Sequence, residues 1–193
     1  MNLKTNFITI LSLSCLIAGC QSAPIEELVR QDLLKRQGSK EFITTAFGIE
    51  LGSQFNIDNS RGTVIDEPDG YVFEPTVPYE DFTTYYVIRA PKSGIVSEIH
   101  AYSDKMSEDA CKNRLRTLQS IYYEKYLYAG EHLDDDYNKY RQYIDADNGY
   151  LRLGCTGFVE YRLYVDYGDL DLIKITKDER LAIEKESKDK SGL

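Results

Sequence analysis

The sequence predicts an α+β domain in which an antiparallel sheet of about five or six strands packs on one long amphipathic helix. The first supporting observation is a stripe of apolar residues at helical spacing from Cys111 to Ala129. The second is a pair of β-rich runs, residues 83–90 and 94–102, joined by a turn that begins with Pro91. The third is size, because 193 residues with 42% apolar side chains suit a single packed core.

The long helix has a clear beginning. Ser107 is placed to cap it, and Glu108 and Asp109 follow where negative charge favours the positive end of the helix dipole. Gly130 is predicted to end it. The residues that share its apolar face are Cys111, Leu115, Leu118, Tyr122, Tyr126 and Ala129.

The first half of the chain contains further strand signals. Residues 42–52 are rich in β-branched and aromatic side chains and end at glycine, which is typical of a strand. Residues 56–70 hold Asp, Asn, Gly and Pro and are predicted to be a loop. Pro75 and Pro78 limit residues 71–82 to an edge strand or an extended loop.

The second half returns to strands after an acidic, tyrosine-rich stretch at 131–149, which we expect to be a loop. Residues 149–155 and 158–166 are predicted strands, the second with alternating apolar positions. A turn signal then precedes residues 170–176, which are expected to return as the hairpin partner of the second strand.

The N-terminus has the layout of a signal peptide. Lys4 precedes an apolar stretch at 7–17, and no acidic residue occurs before Glu26. The stretch is too short to span a membrane comfortably. A short tether helix after Pro24 is predicted next.

The end of this stretch, Ile17-Ala18-Gly19-Cys20, resembles the bacterial lipobox, in which an aliphatic residue and two small residues precede an obligatory cysteine. The resemblance implies that the Cys20 sulfur accepts a diacylglycerol and that cleavage before Cys20 frees an amine for acylation. Two or three acyl chains give durable anchoring. Gln21, where inner-membrane lipoproteins carry Asp, implies an outer-membrane anchor and a periplasmic domain. An ordinary secretory signal with a chance cysteine is the alternative.

A capping box at 176–179 predicts a short charged helix near the end of the domain. The predicted organisation therefore has four parts. The parts are a signal peptide at 1–19, a lipid anchor and tether at 20–40, a single α+β domain at 41–186 and a frayed tail at 187–193.

Two cysteines remain once Cys15 leaves with the signal peptide and Cys20 is lipidated. In an oxidising compartment, Cys111 and Cys155 are predicted to form a disulfide. A cysteine nucleophile or a metal pair is the alternative. A nucleophile needs an adjacent histidine, and the chain contains only His100 and His132.

Charge and motifs exclude several classes of function. The formal charge of −9 becomes 22 − 32 = −10 without residues 1–19, which argues against non-specific binding to nucleic acid. Phosphate loops, dinucleotide fingerprints, metalloprotease helices and nucleophile elbows do not occur in the sequence. We therefore predict neither a cofactor nor a metal site, and we expect His100 to be structural.

Tyrosine is the one compositional anomaly. Eleven of the 16 tyrosines fall between Tyr122 and Tyr167. Tyrosine offers a large contact area with one polar tip and suits wet interfaces, although it also replaces Phe and Trp in small sheets. Tyr137, Tyr140 and Tyr143 lie in the predicted loop, where no core needs them, and are the candidate partner-binding residues.

Three segments resemble a loose group of uncharacterised bacterial envelope proteins. They are FGIELGSQF at 47–55, YYVIRAPKSGIVSEI at 85–99 and the closing DKSGL. The group is similar in placing one cysteine in a central helix and one in a late strand. The resemblance supports the predicted α+β fold and implies no activity.

The leading hypothesis is a non-catalytic, outer-membrane lipoprotein whose domain binds a protein partner in the periplasm. The partner would be an envelope assembly factor, or a toxin or lytic enzyme that this protein inhibits as an immunity protein does. The first alternative is a hydrolase of an envelope glycan or peptide that uses a pair of carboxylates. The second is a binder of glycans or small ligands lined by tyrosine.

Overall fold

An eight-stranded antiparallel sheet organises the chain. The computed structural model describes residues 41–64, 67–133, 139–145 and 148–191. Strands run in the order β3-β4-β5-β6-β10-β9-β8-β7, and β1 and β2 form a separate hairpin. The strands are β1 Thr45–Ala46, β2 Ile49–Glu50, β3 Gly62–Thr63, β4 Gly70–Val72, β5 Thr84–Arg89, β6 Val96–Tyr102, β7 Leu127–Leu133, β8 Lys139–Ile144, β9 Gly149–Thr156 and β10 Arg162–Asp169, and the helices are α1 Glu108–Lys125 and α2 Leu170–Ser191.

The predicted architecture, with five or six strands on one long helix, is wrong. The main sheet has eight strands, a second sheet has two, and a second helix closes the described chain. The fold is therefore mostly β. The largest differences lie in the tyrosine-rich stretch after α1 and in the segment after β10, and the predicted loop at 56–70 also contains β3.

The loop predicted over residues 131–149 is largely replaced by β7 and β8. Leu127 and Tyr143 are both fully buried, and burial of these two large side chains outweighs the polar composition around them. Tyr126 is already extended, so α1 ends at Lys125 rather than before Gly130. Gly130 instead lies at a register shift between β7 and β8, where its φ of +140° favours glycine.

The strand predicted over residues 170–176 is instead the first two turns of α2. The Asp169 carboxylate accepts hydrogen bonds from the backbone N–H groups of Asp171 and Leu172 and so caps the helix. Thr176, the predicted start of a later helix, lies inside α2 and donates to the Leu172 carbonyl. The helix continues to Ser191, through most of the segment that was predicted to fray.

Other elements are confirmed. The β5–β6 hairpin forms where the two β-rich runs predicted it, and Ser107 caps α1 by accepting from the Ala110 N–H. The segment predicted as a strand over 42–52 is instead the β1–β2 hairpin, in which each strand has two residues. The signal peptide and tether, at 1–40, lie outside the described residues.

The core lies on one face of the main sheet. Alternate residues of the central strands point to this face, among them Ile99 of β6, Leu153 of β9 and Val165 of β10, and all three are fully buried. Leu115 and Leu118 of α1 pack on them. Neither α1 nor α2 combines the length and the apolar run needed to cross a bilayer.

Helix α2 lies across one end of the sheet. The Thr176 hydroxyl is hydrogen-bonded to Ser97 at the start of β6. The Glu179 carboxylate accepts from the backbone N–H groups of Lys92 and Ser93 in the β5–β6 turn. These contacts fix α2 to the ends of strands rather than along them.

A disulfide joins Cys111 at the start of α1 to Cys155 in β9, with Cα atoms 6.2 Å apart. The predicted pairing is confirmed, and it uses both sulfurs that a nucleophile or a metal pair would need. The bond attaches α1 to the sheet across 44 residues of chain.

Reduction of this bond is expected to lower the free energy of unfolding by about 4 kcal/mol, because the unfolded chain regains the entropy of a 44-residue loop. Urea unfolding with and without reductant measures the change. The Cys111→Ser/Cys155→Ser variant is the control, and its midpoint should not respond to reductant. Equal stability of the oxidised and reduced wild type would contradict this role.

Candidate functional site

The sheet face opposite the core carries a network of charged side chains on three adjacent strands. Glu98 and His100 come from β6, Asp166 from β10, and Tyr150 and Arg152 from β9. The register places Asp166 directly between His100 and Arg152. Residues that are distant in sequence therefore meet at the middle of the sheet.

The network pairs two carboxylates with two basic groups. His100 Nδ1 donates to Asp166 Oδ1 at 2.7 Å, and its Nε2 lies 3.7 Å from Glu98 Oε2. One guanidinium nitrogen of Arg152, Nη2, lies 3.5 Å from Asp166 Oδ2 and 3.8 Å from Glu98 Oε2. The Tyr150 hydroxyl donates to Glu98 Oε2 at 2.7 Å. Each charged group of the network thus lies within 4 Å of an opposite charge.

Burial and charge together set the protonation of His100, which is 5% exposed. Burial alone would lower its pKa, but the charge and hydrogen bond of Asp166 and the charge of Glu98 raise the pKa above its usual value, against Arg152. The imidazolium form is therefore more stable here than in a free histidine, and in that form His100 and Arg152 together balance the two carboxylates.

Aromatic rings continue this face on both sides of His100. The ring of Tyr86 in β5 stacks on His100 with centroids 4.5 Å apart and planes at 5°. Tyr86 also stacks on Tyr102, and Tyr102 on Tyr164, each at 6.0 Å. Burial, with Asp166 nearby, raises the pKa of Tyr102 to about 12, so its hydroxyl remains a hydrogen-bond donor at neutral pH.

Two glycines make room for the rings that lie across the sheet. A Cβ atom on Gly154 would stand 2.7 Å from the hydroxyl of Tyr164, its cross-strand neighbour. A Cβ on Gly168 would stand 2.5 Å from the ring of Tyr150, which is opposite it. The glycines therefore hold both rings flat against the neighbouring strand.

The predicted partner-binding tyrosines have three different outcomes. Tyr140 in β8 is half-buried on the sheet face that carries the charged network, where it stacks on His132 at 5.5 Å and lies under Arg152 at 5.9 Å. Tyr143 is fully buried in the core, so the prediction that it binds a partner is wrong. The two tyrosines are three positions apart in one strand, an odd spacing that puts their side chains on opposite faces of the sheet. Tyr137 lies outside the described residues, as does Cys20.

Sequence reasoning missed the charged network, although a signal for it was present. Polar residues recur at every second position, as Glu98, His100 and Tyr102 in β6, and as Tyr164 and Asp166 in β10. Two strands with one apolar and one polar side predict a polar sheet face. They do not predict which strands are neighbours.

A second surface feature was also missed. Phe158 and Val159 lie in the loop between β9 and β10 and are 93% and 90% exposed, whereas residues 158–166 were predicted to be a strand with alternating apolar positions. The loop is next to the beginning of α1, where Met106 pairs with Tyr161.

Glu41, the first described residue, donates its backbone N–H to the Lys125 carbonyl at the far end of α1, about 27 Å away along the helix.

Within the described ranges, no cluster of three or more His, Cys, Asp or Glu side chains is placed to hold a metal ion. Comparisons with protein-family models, curated proteins and solved structures find no match to this chain.

The His100 network should make stability depend on pH. Folding raises the pKa of His100, so His100 contributes its full stabilisation below its pKa in the unfolded chain, about 6.5. This contribution is lost as the pH rises through the higher pKa of His100 in the folded protein. Each unit of increase corresponds to about 1.4 kcal/mol. Urea unfolding from mildly acidic to alkaline pH measures the slope.

Two variants identify the source of the slope. His100→Gln removes the titrating group, and Asp166→Asn removes the carboxylate that raises its pKa, so both should flatten the pH dependence above about 6.5. If His100→Gln keeps the wild-type slope, the network does not hold an imidazolium.

Proposed function

We propose that the protein is a lipid-anchored outer-membrane lipoprotein whose periplasmic domain binds a protein partner and catalyses no reaction. The anchor is supported by the lipobox-like Ile17–Cys20 segment and by Gln21 after it. The binding function is supported by the network face, defined as Glu98, His100, Arg152 and Asp166 with the tyrosines Tyr86, Tyr102, Tyr140, Tyr150 and Tyr164.

The main support for a binding function is that the side chains of this face are held in fixed positions. Its side chains are held by ion pairs, hydrogen bonds and stacked rings, while the hydrophobic core lies on the other side of the sheet. Tyrosine and arginine are enriched where proteins bind one another. Side chains that are already fixed lose little conformational entropy on binding.

The stacking favours a protein over a glycan. A sugar ring needs an aromatic face that is free to stack on it, but Tyr86 and His100 cover each other and Tyr102 stacks on both its aromatic neighbours. What remains for a partner is the ring edges and hydroxyl groups of the half-buried Tyr86, Tyr102 and Tyr140, because Tyr150 and Tyr164 are buried. These are the groups that form hydrogen bonds in wet protein interfaces.

The burial of the acids argues against the hydrolase alternative. Such an enzyme needs two carboxylates that can reach a substrate in a cleft. Glu98 accepts from Tyr150, and Asp166 accepts from His100, and both acids also face Arg152. Both carboxylates are therefore already occupied by contacts within the network.

The position of residue 41, where the described domain begins, supports a partner on the periplasmic side. Residue 41 follows the proposed tether and lies at one end of α1, whereas the exposed Phe158 and Val159 lie at the other. A tethered domain would therefore hold the apolar loop away from its own anchor. Two adjacent exposed apolar side chains suit a second contact with the partner.

Site-specific photo-crosslinking in living cells tests the proposal. A photoreactive phenylalanine in place of Tyr140 should give a discrete adduct with one protein. The matched control replaces Tyr123, which is 55% exposed on α1, on the other side of the sheet, and should not give that adduct. The same adduct from both positions, or none from Tyr140, would contradict a specific contact at the network face.

The same experiment in a Cys20→Ala background tests the anchor. The variant should lose acyl labelling, leave the membrane fraction and form less of the adduct, since the partner is met at the membrane. Acyl labelling that persists in Cys20→Ala would refute the lipobox assignment without affecting the result at Tyr140.

A further inference from the structure

A cavity of about 440 Å³ lies beside the β5–β6 turn, apart from the network face. It is lined by Gln54, Phe55, Asn56, Arg89, Ser93 and Gly94. Its size is within the range of pockets that hold small molecules. Arg89 is the one side chain in this lining that carries a charge.

Arg89 differs from the other half-buried arginines of the described chain. Arg141, Arg152 and Arg180 each have a carboxylate within 4 Å. In the described ranges, no carboxylate lies within 4 Å of Arg89. Its polar contacts are to the backbone carbonyls of Phe55, at 2.9 Å, and Pro91, at 3.5 Å.

The guanidinium therefore keeps donors without an acceptor. Nη1 and Nη2 carry two protons each and contact one carbonyl each, so one proton on each nitrogen has no acceptor among the described residues. The ring of Tyr71, 5.6 Å from Cζ, supports one side of the group but accepts no strong hydrogen bond. A half-buried cation without a counter-ion is costly, and an anion bound in the cavity would remove that cost.

We propose that this cavity binds a carboxylate group through Arg89. A planar carboxylate matches the guanidinium fork, and the side-chain amides of Gln54 and Asn56 supply further polar groups at the rim. Phe55 supplies an apolar wall for the part of the ligand next to the carboxylate. The carboxylate belongs either to a small free acid or to the C-terminus of a peptide. The proposal does not depend on the network face.

The test is a titration of the purified full chain followed by ¹H–¹⁵N NMR. The probes are N-acetylalanine, its uncharged N-methylamide, and an alanine tripeptide with a free or an amidated C-terminus. The Arg89 Nε–H signal and the side-chain amides of Gln54 and Asn56 should shift saturably with the free acids only. Tighter binding of the free-acid tripeptide identifies a chain terminus as the ligand, and equal or weaker binding identifies a small acid.

Two variants control the experiment. Gln54→Glu places a carboxylate at the rim without changing side-chain size, and it should weaken binding of the acid about tenfold or more by repelling the ligand or pairing with Arg89. Gln54 is exposed, so the change should leave the fold intact. Asn113→Asp adds the same charge on α1 and should leave binding unchanged.

The proposal is overturned if no probe produces a saturable shift, or if the N-methylamide shifts the same signals as the acid. It is also overturned if Gln54→Glu and Asn113→Asp bind the acid equally well. Arg89 would then be a structural clamp on the carbonyls of Phe55 and Pro91.

Discussion

Strand β10 lies between β6 and β9 and pairs with both, so its alternating side chains determine what each face of the sheet contains. Leu163, Val165 and Tyr167 point to the core, and Tyr164 and Asp166 point away from it. A shift of one residue in either pairing would put Asp166 in the core without a partner. The cost of burying that carboxylate keeps the register fixed.

This alternation also explains why a polar network can form near the centre of the sheet. The core needs one face only, and the Cys111–Cys155 bond holds α1 against that face. The other face is then able to collect charges and tyrosines from neighbouring strands, with Gly154 and Gly168 leaving space for two of the rings. The proposed binding surface is thus a by-product of the same pairing that builds the core.

The sequence was most informative where local chemistry decides the structure. Ser107 caps α1, and the turn after Pro91 joins β5 to β6, because both signals act within a few residues. Sequence reasoning failed where distant contacts decide. Residues 170–176 were predicted to be a strand, but capping by Asp169 and the contact of Thr176 with Ser97 favour a helix. The network was not foreseeable, because strand neighbours depend on the whole topology.

On this proposal, a partner covers the network face in the cell. Hydroxyl-radical footprinting of the protein in intact cells and after purification measures this directly. We expect Tyr86, Tyr102 and Tyr140 to be oxidised less in cells than in the purified protein, while Tyr123 on α1 reacts equally in both. Equal oxidation of Tyr140 in the two states would contradict the account, because the face would then be free where its partner should be.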